Sequence, residues 1–189
     1  MGGALALKVH LKQPNSWSGA VLLAPMCKIS EEFSPPWLMV KLLIGVAKVL
    51  PKRKLFPHKD YPELAFRDMK KRNLYHYNVI AYKDKPRLGT ALQMIRTTQE
   101  IERRLEEVSL PLLILHGEAD VVTDPLVSQA LYEKAKTFDK KIHLYKDSYH
   151  ALLEGEPDEM IFHILNDITS WLDARCVGRC PSLSTWNCG

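Results

Sequence analysis

The sequence predicts an α/β fold organised on a parallel sheet, and three observations carry that reading. Leu112-Leu113-Ile114-Leu115 is an unbroken apolar run, the pattern of a strand covered on both faces. Lys141 to Tyr145 forms a second strand, and Pro125 to Lys136 between them has helical spacing, so the unit reads strand, helix, strand. Gly117 closes the first strand with Asp120 just beyond it, and His150 follows the second strand after a short loop. Open α/β sheets gather their ligand-binding loops at the carboxyl ends of the strands. A carboxylate and an imidazole on that one rim form the candidate site.

Composition sets the frame. The chain has 189 residues, 46% hydrophobic and 25% charged, which fits one globular domain or a large piece of one. A net charge of +4 is mild. Its basic clusters, Lys52-Arg53-Lys54 and Lys70-Lys71-Arg72, are not interleaved with aromatics, so no nucleic acid is expected. They read as solvated faces, with attraction to anionic lipid the alternative. No apolar run reaches the roughly 20 residues of a spanning helix. Met1 to Leu11 lacks a signal peptide's basic start and cleavage site, so a cytoplasmic location is expected. None of the four cysteines forms Cys-x-x-Cys. No disulfide framework, metal or cofactor is expected.

Taken in order, Met1 to Leu11 has helical spacing without an N-cap residue, and Pro14 and Asn15 end it. Gly19 to Pro25 is another buried-strand run. From Met26 to about Lys85, prolines 35, 36, 51, 57 and 62 punctuate short amphipathic pieces, the mark of a helical insertion rather than of sheet. Within it, Trp37 to Leu50 sets Lys41, Gly45 and Lys48 on one side, with Leu38, Met39, Leu42, Leu43, Val46, Val49 and Leu50 over much of the rest. That apolar band is wider than a surface helix needs. It fits either internal packing or a lid in which Trp37, Leu38 and Leu42 line an apolar substrate pocket, with peripheral membrane contact as an extension. Gly89 to Val108 reads as one long helix capped by Thr90, and Asp158 to Ala174 as a last amphipathic helix. Residues 176–189 show no periodicity and read as a disordered appendage.

An acid–histidine pair on a sheet rim suits nucleophilic catalysis. The acid orients the imidazole, which takes a proton from a hydroxyl nucleophile and returns it to the leaving group. Spacing alone leaves open a surface aspartate and an incidental histidine.

The wider segments narrow that choice. His116-Gly117-Glu118-Ala119-Asp120-Val121-Val122-Thr123-Asp124-Pro125, followed by Tyr149-His150-Ala151-Leu152-Leu153-Glu154-Gly155-Glu156-Pro157, closely resembles the monoglyceride lipase family of α/β-hydrolases. It is most similar to the plant branch with caffeoylshikimate esterase-like proteins. The resemblance runs from Met1 to about Arg175 and implies a partial α/β-hydrolase domain, the C-terminal part of that fold, with residues 26–85 as its cap. It also implies Asp120 as triad acid and His150 as triad histidine. The implied function is hydrolysis of a small-molecule carboxylic ester: a monoacylglycerol, a lysophospholipid or a hydroxycinnamoyl ester.

The family's nucleophile elbow reads Gly-x-Ser-Met-Gly-Gly, and this chain opens Met1-Gly2-Gly3. Met1 then matches the residue after the serine, which supplies an oxyanion-hole amide, and the serine itself is not among the 189 residues. Ser148 and the loop or cap serines 16, 18, 30 and 34 sit on no strand-to-helix elbow. The expectation is a chain inactive as written, with Gly19 to Pro25 an apolar sheet edge prone to aggregation. The rival reading is a non-catalytic product or interaction module.

Overall fold

The structure, a computed structural model, describes residues 1–27, 37–55 and 61–176. Helix α1 (Gly2–Lys12) leads to β1 (Ala20–Leu23), then α2 (Trp37–Val49), α3 (Tyr61–Ala65), α4 (Met69–Tyr77) and α5 (Leu88–Glu102). After a 3-10 turn at Leu105–Glu107 come β2 (Leu112–Gly117), α6 (Pro125–Lys134), β3 (Lys140–Tyr145) and α7 (Asp158–Cys176). Among the described residues the sheet has three strands in the order β1-β2-β3, all parallel. Ala20 pairs with Leu112, and Leu112 with Lys140.

Successive strand residues point to opposite faces, and β2 uses both. Leu112 and Ile114 pack in one core with Ala4 and Leu7 of α1, Ile101 of α5 and Leu131 of α6. Leu113 and Leu115 pack in the other with Leu152 and with Ile164 and Trp171 of α7. All six residues of β2 are buried, at about 1.5–3 kcal/mol of transfer free energy for each large apolar side chain. A strand sandwiched this way has no polar face to show, hence the continuous apolar run.

Residues α2 to α4 lie in sequence between β1 and α5. Helix α2 packs on α5 through Leu43, Ile44, Val46 and Ala47 against Leu88 and Leu92. That is one strip of a band that is apolar almost all round; Leu38 and Leu42 are each 66% exposed.

Two boundaries differ from expectation. The helix expected over Gly89–Val108 stops at Glu102, and a separate 3-10 turn carries Leu105 into the core. Thr90 is not its cap. The helix starts earlier because the Leu88 and Gly89 amides donate to the Arg53 and Pro51 carbonyls at 2.8 and 2.9 Å. The chain after α2 thus satisfies the first-turn donors that an N-cap side chain would otherwise meet. The last helix runs on to Cys176, two residues beyond Ala174. Residues 177–189, expected to be disordered, lie outside the described residues.

Candidate active site

The two loops leaving β2 and β3 are tied together before either reaches its functional side chain. The Glu118 amide donates to the Tyr145 carbonyl at 2.9 Å, and the Ala119 amide to the Ser148 carbonyl at 3.1 Å. Beyond Gly117 the chain turns, Asp120 N–H donating to the Gly117 carbonyl at 3.2 Å. Asp120 Oδ1 then accepts the Val122 and Thr123 amides at 2.8 and 3.0 Å. Asp124 caps α6 through the Leu126 amide, with Pro125 at its first position, where a missing N–H costs nothing. The short polar residues after β2 therefore hold Asp120 in one place. On the β3 side, Asp147 takes a left-handed turn (φ 60°) that redirects the chain toward His150.

The loops meet at a single carboxylate oxygen. Asp120 Oδ2 lies 2.7 Å from His150 Nδ1, 2.8 Å from Thr123 Oγ1 and 3.1 Å from His116 Nε2. The Asp120 side chain is fully buried, while that of His150 is 28% exposed. Burial alone would raise the carboxyl pKa. Hydrogen bonds from His116 and His150, the attraction of His150 and the Thr123 amide outweigh it, and the pKa falls below the usual carboxylate range. Asp120 is thus an anion at neutral pH, held by donors on every side.

The His150 loop is also fastened to α3, α4 and the segment between them. Ala151 N–H donates to the Ala65 carbonyl at 3.0 Å, and Asp68 N–H to the Gly155 carbonyl at 2.8 Å. Buried Glu156 accepts the Tyr149 amide at 2.7 Å and faces Arg67 at 3.5 Å. Between these segments lies a cavity of about 410 Å³, where His150 is joined by Leu23, Pro62, Ala65, Phe66 and Tyr75. The Phe66 and Tyr75 rings stand 5.5 Å apart, a favourable tilted contact.

The residues singled out from sequence fare differently. Asp120 and His150 come together. Met1 is the N-cap residue of α1, whose Gly3 is so close to the exit of β1 that an added Cβ would stand 2.9 Å from Pro25 Cβ. Leu38 and Leu42 are largely exposed and do not line the cavity beside His150. The side chain of Trp37 lies outside what is described. The cavity wall on that side is built instead by Pro62, Ala65, Phe66 and Tyr75, residues with no sequence signal beyond proline and aromatic content. His116 and Thr123 also join the site unforeseen, although both stand inside the quoted segment. Cys27 offers no nucleophile, since burial pushes its thiol up to about 12. Among the described residues no cluster of histidine, cysteine and acid could hold a metal ion.

A parallel sheet between helical layers, with an acid and a histidine meeting on its carboxyl rim, defines the α/β-hydrolase class. Within that class the chain belongs to the serine aminopeptidase S33 family (Hydrolase_4), whose profile matches residues 1–158. It is 34% identical over 179 residues to caffeoylshikimate esterase of Arabidopsis thaliana, covering 93% of this chain and 53% of that protein. With the monoglyceride lipase of Mus musculus it shares 27% identity over 184 residues, 96% of this chain and 59% of the relative. The crystal structure of Paleococcus ferrophilus monoacylglycerol lipase has the same fold, with a TM-score of 0.79 at 23% identity, over 92% of this chain and 65% of that one. The chain thus spans little more than half the length of the curated relatives it matches.

Proposed function

We propose that the chain carries the acid and the base of a carboxylic ester hydrolase of the monoacylglycerol lipase or caffeoylshikimate esterase type. Asp120 is the orienting acid and His150 the general base. The observation that supports this reading is the 2.7 Å contact between His150 Nδ1 and Asp120 Oδ2, made by a buried carboxylate to a ring that lines a cavity.

The chemistry follows from the tautomer. With its Nδ1 proton donated to Asp120, His150 keeps its basic lone pair on Nε2. That nitrogen removes the proton of a serine hydroxyl as the oxygen bonds to the ester carbonyl carbon. The imidazolium, stabilised by the Asp120 anion, then protonates the leaving alcohol as the carbon–oxygen bond breaks. A water activated by the same nitrogen cleaves the acyl-enzyme and regenerates the serine. Asp120 stays ionised throughout, in keeping with its lowered pKa.

The nucleophile belongs at the Met1 end of α1. The elbow Gly-x-Ser-Met-Gly-Gly puts its serine there when its last three residues are Met1-Gly2-Gly3, and the Met1 amide then serves the oxyanion. The 189 residues contain no Gly-x-Ser-x-Gly, and by themselves they should hydrolyse no ester. The cavity's apolar and aromatic lining suits the acyl or aromatic part of a monoacylglycerol, lysophospholipid or hydroxycinnamoyl ester. The exposed apolar side of α2 supports peripheral contact with a lipid surface; among the described residues no helix is long and apolar enough to cross a membrane.

The test is ester turnover by a chain that carries a Gly-x-Ser in frame ahead of Met1. It should be labelled by a fluorophosphonate probe and should lose turnover by roughly 10³-fold or more on His150→Ala. Turnover that survives His150→Ala, or robust turnover by the 189 residues alone, would overturn the reading.

A further inference from the structure

The carboxylate that holds His150 is itself held by a second histidine. His116 is the penultimate residue of β2, shares a face with Leu112 and Ile114, and is fully buried. Its Nε2 stands 3.1 Å from Asp120 Oδ2 and 3.1 Å from the Thr123 carbonyl oxygen. Both are acceptors only, so Nε2 carries the proton and shares it between them. Its Nδ1 stands 2.6 Å from Ser128 Oγ on α6, and a hydroxyl there can donate. The partners thus assign an imidazole proton to Nε2. A chain of donors runs Ser128 to His116 to Asp120, meeting the one from His150 on the same oxygen.

We propose that His116 is a positioning residue for the acid–histidine pair. It fixes which oxygen of Asp120 faces His150 and takes a share of that oxygen's charge. Strand β2 and helix α6 supply its two anchors, so the rim loop between them cannot rotate the carboxylate away. Besides Asp120, the titratable groups on this oxygen are the two histidines, and Thr123 Oγ1 is its remaining side-chain donor, at 2.8 Å. The catalytic consequence rests on the proposed roles of Asp120 and His150, but the geometry does not.

Nitrogen-15 spectra of the imidazoles of the purified 189-residue chain test this without any need for turnover. His116 should hold its proton on Nε2. Replacing His116 by Phe removes the donor and leaves more of the Asp120 charge to the His150 cation. The His150 Nδ1–H proton resonance should then move downfield, the mark of a stronger hydrogen bond to Asp120. His116→Gln, whose amide nitrogen can reach the place of Nε2, should restore it. A purely structural role would not separate Phe from Gln in this way. A proton on His116 Nδ1, or a His150 Nδ1–H resonance that Phe does not move, would overturn the proposal. If the Phe chain does not fold, the unsubstituted chain's tautomer decides. An ester assay that fails His150→Ala would sink the hydrolase reading and leave these spectra as they are.

Discussion

A Cβ placed on Gly117 would stand 2.2 Å from the Ser148 carbonyl oxygen. Glycine is there because the backbone of the β3 exit crosses directly over the β2 exit. This crossing brings Asp120 and His150, 30 positions apart in sequence, onto one hydrogen bond. Gly117→Ala must push the loops apart, and the neighbouring atoms are backbone with little room to yield. Overpacking of this kind costs about 1–3 kcal/mol, several degrees of melting temperature for a domain of this size. Thermal unfolding and the His150 Nδ1–H proton resonance, which reports the bond to Asp120, check it together. A Gly117→Ala chain with an unchanged melting temperature would mean that the crossing is looser than described.

Asp120→Asn probes the acid with little change in shape. The carboxylate accepts five hydrogen bonds, two from amides and three from side chains. An amide NH₂ must turn toward one of those sets of donors, at about 1–3 kcal/mol of stability. If it faces His150, it favours the tautomer with the Nδ1 lone pair, the wrong one for a base on Nε2. In a chain that carries the nucleophile, kcat should fall by roughly 10⁴ with KM little changed. Steady-state kinetics on a soluble ester measures both.

Acid should weaken the fold in two stages. Burial lowers the pKa of His10, whose ring is buried on α1 and accepts the Ser109 amide at 3.1 Å. Because the folded form resists the proton that the unfolded chain accepts, stability is full above the unfolded value near 6.5 and falls as pH drops below it. Asp120 contributes lower down, since its depressed pKa gives stability above about 3.9 that is lost as pH falls through and beneath that value. Urea midpoints measured from pH 7 down to 3 should decline in both stages. His10→Gln, which keeps an acceptor but does not titrate, should lessen the upper stage, to which His143 also contributes through its lowered pKa, and leave the lower one in place.

What could be read from sequence follows from burial. A strand covered on both faces must be apolar at every position, so β2 and the shorter β1 stand out without any partner in view. The acid and histidine are readable because each follows a strand end, where the fold gathers its loops. Helix α2 resists the same treatment, since a band apolar nearly all round does not say which strip touches α5. The end of α5 resists it too: Leu105 keeps the helical phase of the apolar face, yet it reaches the core from a 3-10 turn. His116 is the most instructive case. It occupies an apolar register position, and nothing local reveals that Ser128, three residues into α6, waits opposite it.

The exposed strip of α2 makes the last prediction. Leu38, Leu42 and Val49 are 66%, 66% and 78% exposed, and their spacing of four and then seven residues puts them along one side of the helix. Moving one such side chain from water into an acyl layer is worth about 1.5–3 kcal/mol, so two exposed leucines can hold a small domain to a membrane surface. Leu38→Ser with Leu42→Ser removes that contact while leaving Leu43, Ile44, Val46 and Ala47 against α5. Binding to phosphatidylcholine vesicles, followed by flotation, should weaken by roughly 10- to 100-fold or more, while thermal stability changes little because both side chains are already in water. Unchanged vesicle binding would show that this strip does not face the lipid. A large loss of stability would show instead that the strip is covered within the protein.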